Sequence, residues 1–229
     1  MDRTMSMDLF DYMRETQQKE SPLASRMRPK TLDEVVGQKH IIGKNTMLYR
    51  AIKADKLSSV IFYGPPGTGK TTLAMVIANT TSSEFTQLNA TVAGKKDMED
   101  VVKRAKDLQG MYGRRTILFI DEIHRFNKGQ QDYLLPYVED GTLIILIGAT
   151  TENPYFEVNP ALISRSIIFE LHNLEKEDIK ELIKRAVSDP VRGMGSYHAM
   201  LDDDAAEFLS DAANGDARAA LNGIELAVL

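Results

Sequence analysis

The chain has 229 residues and a formal net charge of −5, with 43% of its residues hydrophobic and 27% charged. That is enough for one large α/β domain or for a domain plus a small appendage, and the charge argues against a globally basic nucleic-acid binder, so contact with nucleic acid requires a local patch. The absence of cysteine excludes disulfides, thiol catalysis and zinc–thiolate centres, and the four histidines, His40, His124, His172 and His198, show no metal-ligand spacing.

The longest apolar runs are strand-sized, so no membrane-spanning helix is expected. The N-terminus lacks the basic-then-apolar pattern of a secretion signal, and a cytoplasmic protein is expected. In chain order, residues 1–24 read as a flexible, polar, Met-rich tail with one apolar cluster, Met7, Leu9, Phe10 and Met13. Thr31 and Glu34 have the spacing of a capping box, and Gly37 suits a helix stop. From residue 58 strand and helix patterns alternate. Strand-like runs are Val60–Tyr63, Phe85–Asn89, Thr116–Asp121, Leu143–Ala149 and Ile167–Leu171. Several are apolar without alternation, the pattern of strands buried on both faces of a parallel sheet. Over 96–109, Met98, Val101, Val102, Ala105 and Leu108 mark one face of a helix. Such alternation predicts an open parallel sheet with helices on both sides. Pro136 is expected to kink or end the helix in which it falls. After Leu171 the strands stop. Ile179, Leu182, Ile183, Ala186 and Val187 follow helical spacing, a loop with Gly193 and Gly195 intervenes, and a second helix starts near Asp202. Asn214-Gly215-Asp216 closes it and caps a third, which reaches Leu229 without a stop signal, so the natural chain is expected to continue.

Between the first strand and the next helix lies "GPPGTGKTT": Gly64, Pro65, Pro66, Gly67, Thr68, Gly69, Lys70, Thr71 and Thr72. This is a phosphate-binding loop in its proper strand–loop–helix setting. Glycines let the backbone turn tightly and aim N–H groups at phosphate oxygens, while the helix adds its positive end. Lys70 supplies a point charge to the β- and γ-phosphates, and the Thr71 hydroxyl can ligate Mg2+. A second element, "TILFIDEIH", ends an apolar strand in Asp121 and Glu122. Asp121 can hold Mg2+, directly or through its water. Glu122 is then placed to polarise an attacking water, which favours hydrolysis over phosphoryl transfer to a bound hydroxyl.

"RMRPKTLDEVVGQKHI", "GPPGTGKTTLA", "RRTILFIDEIHRFNKGQQD", "IGATTENP" and "NPALISRS" together resemble the AAA+ ATPases of the clamp-loader clade. They are most similar to the bacterial replication-associated recombination protein A family, over residues 23–229. The resemblance implies a P-loop AAA+ α/β fold, with a five-stranded parallel sheet flanked by helices and a small all-helical lid. The expected division is a tail over 1–24, an ATPase domain over 25–171 and a lid over 172–229, with an oligomerisation region beyond. ATP and Mg2+ are the implied cofactors. The implied role is Mg-dependent ATP hydrolysis by a homo-oligomer at stalled or damaged replication forks, in recombination and repair. DNA ends, gaps or single-strand junctions, single-strand DNA-binding protein and the sliding clamp are the implied partners, and the location is cytoplasmic and nucleoid-associated. Thr150 matches the sensor of the γ-phosphate or attacking water, and Arg218 the lid arginine that reaches the γ-phosphate. Arg26 to Pro29 resemble the segment beside the adenine. Arg165 matches the arginine that enters the ATP site of the adjacent subunit, where a planar, always charged guanidinium suits phosphoryl oxygens.

Two patches admit two readings each. Lys95, Lys96 and Arg104 belong to a mixed-sign stretch that is either a DNA-phosphate contact or an ordinary charged helix face. "SMDLF" at 6–10 is either a clamp-docking peptide anchored by Leu9 and Phe10 or an unstructured leader. Two other functions compete with the hydrolase: a nucleotide-gated scaffold that recruits replication partners with little hydrolysis, and a phosphotransferase using the same loop.

Overall fold

The computed structural model describes residues 21–229. In chain order the main elements are α1 (Leu23–Arg26), α2 (Lys39–Ile42), α3 (Met47–Lys53), β1 (Val60–Tyr63), α4 (Lys70–Thr80), β2 (Glu84–Asn89), α5 (Lys95–Tyr112), β3 (Thr116–Asp121), α6 (Lys128–Asp140), β4 (Ile144–Thr150), α7 (Pro154–Glu157), α8 (Pro160–Ile163), β5 (Ile167–Glu170), α9 (Lys176–Ser188), α10 (Asp203–Ala213) and α11 (Ala217–Val228). They form two compact units. One is Pro29–Leu174; the other is Glu175–Leu229 with the described residues up to Arg28.

In the first unit the five strands make one sheet in the order β2-β3-β4-β1-β5, with every pair parallel. The two-residue period of a strand sends alternate side chains to opposite faces. Val60, Phe62, Ile117, Phe119, Ile145 and Ile147 pack with Leu48 and Ile52 of α3 and Leu73 and Ile77 of α4. Ile61, Leu118, Ile120, Ile144 and Leu146 pack with Met98 and Val101 of α5 and Leu134 and Val138 of α6. Both faces are therefore dry, which explains why β3 and β4 read as unbroken apolar runs. Phe62 and Phe119 are fully buried, and each contributes roughly 1.5–3 kcal/mol by leaving water.

The second unit packs α9, α10 and α11 together. Ile179, Leu182 and Ile183 of α9 and Leu221 and Ile224 of α11 are buried. Asp216 caps α11, its carboxylate accepting from the amides of Arg218 and Ala219 at 2.7 and 3.0 Å. Lys176 and Lys180 of α9 pair with Glu207 of α10, and Lys176 also meets Asp211 at 2.7 Å.

Four local expectations are corrected. Leu23 belongs to no tail: it is fully buried, and its amide donates to Glu225 of α11 at 2.9 Å. Arg26 donates to the Arg192 carbonyl at 3.1 Å, so residues 25–28 group with the helices and not with the sheet. Thr31 and Glu34 form no capping box. Only a three-residue 3-10 turn, Leu32–Glu34, comes after Thr31, whose side chain caps nothing, and Glu34 instead accepts the Lys30 amide at 3.3 Å. Pro136 does not end its helix; α6 continues to Asp140 and stops at Gly141, which takes the left-handed conformation. The proline lies on the exposed side, and its missing N–H deprives the turn of one hydrogen bond.

Candidate nucleotide site

β1 runs directly into the glycine loop and then into α4. Gly64 has φ +142°, and a Cβ there would fall 2.1 Å from the Leu171 carbonyl oxygen, so only glycine fits. Its amide donates to the Thr150 carbonyl at 3.3 Å, tying the loop to the end of β4. Gly69, at φ +101°, opens α4, and a Cβ placed on it meets no atom within 4 Å. No side chain caps α4 and no acidic residue occupies its first turn. The positive end of α4 is therefore offset by no side-chain cap or carboxylate of its own, an arrangement that accepts an anion.

Lys70 lies along the loop, its Nζ donating to the carbonyls of Gly64 and Pro65 at 2.6 and 2.8 Å. The Thr68 hydroxyl donates to the Pro65 carbonyl at 2.9 Å. Pro65 and Pro66 are exposed, and Gly67, Thr71 and Thr72 are half-buried. Gln38 braces the loop from outside: its amide donates to the carbonyls of Thr68 at 3.3 Å and His172 at 2.6 Å, and its oxygen accepts the His172 amide at 3.1 Å. Nothing in the sequence pattern links Gln38 to positions so far along the chain.

Sheet order sets the rest. β4 lies between β1 and β3, with Thr150 beside Tyr63 and Gly148 beside Ile120. The C-terminal ends of three neighbouring strands thus bring together the loop, Thr150 and Asp121 with Glu122. Asp121 still has strand geometry, whereas Glu122 is left-handed at φ 54°, ψ 46°. The carboxylate of Glu122 is half-exposed, with Oε2 3.3 Å from Nδ1 of His124. Thr150 is fully buried, and its Oγ1 lies 2.8 Å from the same Nδ1. In sequence His124 carries no signal, because it lacks metal spacing; its pairing with Thr150 exists only because β3 and β4 are neighbours.

The other cationic site candidates from the sequence, Arg165, Lys95, Lys96, Arg104 and Arg218, are exposed. Arg165 is exposed on the segment before β5, paired with Glu139 of α6 at 2.7 Å and donating to the Ala161 carbonyl at 2.9 Å. Lys95, Lys96 and Arg104 are exposed on α5; Lys95 pairs with Glu99 at 3.6 Å, and Arg104 donates to the Asp100 carbonyl at 3.4 Å. Arg218 is exposed on the first turn of α11, in the helical unit. Leu9 and Phe10 lie outside the described residues. Among the described residues no helix is long and apolar enough to cross a membrane.

A glycine loop between strand and helix, a lysine along it, and an Asp–Glu pair at a neighbouring strand end, on this strand order, define a P-loop ATPase of the AAA+ type. Residues 27–164 match the family model described as the Holliday junction DNA helicase RuvB P-loop domain, and the chain belongs to that family. It is 50% identical over 208 residues to replication-associated recombination protein A of Bacillus subtilis (strain 168), covering 91% of this chain and 48% of that protein. It is 48% identical over 205 residues to the protein of the same name from Escherichia coli (strain K12), covering 90% and 45%. The resemblance read from the motifs is borne out by these relatives. The chain spans about half the length of the curated relatives it matches. Among solved structures, the Thermotoga maritima RuvB Holliday junction branch migration motor superposes with a TM-score of 0.71 at 33% identity, covering 87% of this chain and 64% of that one.

Proposed function

We propose that this chain is the ATP-hydrolysing part of a homo-oligomeric AAA+ protein that acts on DNA at stalled or damaged replication forks. The observation that carries the hydrolytic half is the convergence of the phosphate loop, Asp121–Glu122 and Thr150 on adjacent strand ends. In this reading the α4 amides and Lys70 bind the β- and γ-phosphates, and Glu122 takes a proton from the attacking water. Thr150 orients that water or the γ-phosphate, and Arg218 reports the nucleotide state. The Thr71 hydroxyl and the Asp121 carboxylate are hard oxygen donors of the kind Mg2+ takes alongside phosphate oxygens and waters. Mg2+ held there would neutralise charge on the phosphates.

Arg165 is proposed to act in trans. β5 and β1 are parallel, with Ile167 beside Val60 and Glu170 beside Tyr63, so Arg165 precedes one end of the strand pair while the chain's own loop leaves from the other. About 13 Å of strand separates them, which supports a site completed by the adjacent subunit. The DNA half draws on the relatives, which are named for replication-associated recombination. Lys95, Lys96 and Arg104 are the proposed phosphate contacts, and DNA ends, gaps or single-strand junctions the proposed targets. Single-strand DNA-binding protein and the sliding clamp, the latter through Leu9 and Phe10, are the proposed protein partners, at the nucleoid.

ATP turnover measured with and without forked or gapped DNA tests both halves. Lys70→Ala should abolish nucleotide binding, whereas Glu122→Gln should keep binding and lose about 10²–10⁴ in turnover. Full turnover by Glu122→Gln would reject hydrolysis through this carboxylate. Rates indifferent to DNA would remove the nucleic-acid half.

A further inference from the structure

His124 is the one titratable side chain in contact with both Glu122 and Thr150 among the described residues, and the hydrolytic reading gives it no role. It sits in the 3-10 turn Ile123–Arg125, two residues after Glu122, and only 8% of its side chain is exposed. A single ring nitrogen, Nδ1, lies 2.8 Å from Thr150 Oγ1 and 3.3 Å from Glu122 Oε2. That nitrogen carries either a proton or a lone pair. A carboxylate only accepts, so a bare lone pair facing Oε2 would repel it, whereas Nδ1–H is attracted to both oxygens.

The proton position then fixes the polarity of Thr150. Its Oγ1 also accepts the Glu152 amide at 3.0 Å. A hydroxyl has two lone pairs and one proton. With Nδ1–H and the Glu152 amide on the lone pairs, the proton must point elsewhere. The Glu152 carbonyl, at 3.5 Å, is at the limit of a hydrogen bond and holds it weakly. Thr150 is fully buried, so bulk water cannot reset this arrangement.

We propose that His124 is a positioning residue that holds the Thr150 hydroxyl as a hydrogen-bond donor and steadies the Glu122 carboxylate beside it. This rests on the hydrolytic reading of the site. A donor at Thr150 matches what anionic phosphate oxygens and the lone pairs of an attacking water accept. The ring thereby joins the base and the sensor through one proton, and a tautomer flip would lose the Glu122 contact and turn the Thr150 hydroxyl toward the ring as the donor.

Long-range 1H–15N correlation spectra of the chain near pH 8, where an ordinary histidine is neutral, test the proton directly. With only four histidines in the sequence, the His124 signals are assigned by their loss in His124→Asn. The expected result is the Nδ1-protonated ring; a bare Nδ1 with the proton on Nε2 overturns the proposal whatever the turnover. In steady-state kinetics, His124→Ala should lower kcat about 10–100-fold with KM for ATP unchanged. His124→Asn, whose amide nitrogen stands near the place of Nδ1, should recover most of that loss. Equal losses in both variants, or a change confined to KM, overturn the proposal. Glu122→Gln separates the two levels. If it retains full turnover, the hydrolytic reading falls. If it is inactive while His124→Ala keeps full kcat, only the role of His124 falls.

Discussion

Glu122 occupies left-handed backbone space at φ 54°, ψ 46°, immediately after Asp121 in strand geometry. The change of backbone conformation between these two consecutive carboxylates suits the proposed division of their tasks, one toward a metal and one toward water. For a side chain bearing a Cβ this conformation costs roughly 1–2 kcal/mol. The strain has a measurable consequence. Glu122→Gly and Glu122→Ala both remove the carboxylate, but only glycine accepts the conformation without cost. The glycine variant should be the more stable by about 1 kcal/mol in urea unfolding. The reverse order would mean that the left-handed turn is not held in solution. At this scale the sequence showed Asp121 and Glu122 by their place after an apolar run, and Lys70 and Thr71 by their loop. It did not show His124 against Thr150, or Arg165 against Glu139, because those pairs form only after strands and helices dock. Arg165 has no acidic neighbour in sequence; its partner lies on α6 and reaches it through the fold.

Elements were legible where burial was two-sided or capping was local. β1 and β3 coincide with their apolar runs, and Asp216 opens α11 as expected. Ends were less legible: β2 begins one residue earlier and α5 runs on to Tyr112, where Gly113 stops it in the left-handed conformation. Thr31–Glu34 and Asn127–Gln130 share one spacing, yet only the second forms a capping box, with Asn127 Oδ1 accepting the Gln130 amide at 2.9 Å. The two differ in the helix each would cap. Asn127 precedes one of 13 residues, whereas Thr31 precedes a single 3-10 turn. In sequence the bend after α9 shows only as a glycine loop; in the fold it is built on Asp189. That carboxylate accepts the amides of Val191 and Arg192, both at 2.9 Å, and Arg192 Nε at 3.3 Å. Burial alone would raise its pKa, but the two amides and the Arg192 guanidinium outweigh it and hold the carboxyl below its ordinary value. A carboxyl depressed on folding stabilises the fold above its unfolded pKa, and that contribution is lost as pH falls through the folded value. Asp189→Asn should therefore cost about 1 kcal/mol near neutral pH. In urea unfolding at a series of pH values, the gap between parent and variant should shrink on acidification below the ordinary aspartate range. A gap independent of pH would mean that the charge contributes nothing.

At the scale of the whole molecule, the decisive question is where the last cation of the site comes from. Arg165 is held by Glu139 at 2.7 Å and by the Ala161 carbonyl, and 39% of its side chain is exposed. An exposed pair of this kind is worth roughly 0–1 kcal/mol. An arginine that stabilises charge spreading over a transferring phosphoryl group contributes about 10³–10⁵ in rate, or roughly 4–7 kcal/mol. In the proposed role in trans, the small cost of releasing Glu139 is outweighed by the transition-state stabilisation gained, and Arg165 precedes the end of β5 far from its own loop. A split centre makes a prediction that no self-contained centre shares. Arg165→Ala keeps its own loop and base but donates no cation; Glu122→Gln loses its base but still donates one. Each alone should turn over slowly. Mixed, the two should regain activity, because an Arg165→Ala site next to a Glu122→Gln neighbour is complete. ATP turnover across mixing ratios should rise above the sum of the two proteins, pass through a maximum, and be higher at higher total concentration. Strictly additive rates at every ratio and concentration would place the whole active centre within one copy and assign Arg165 to its surface pair with Glu139.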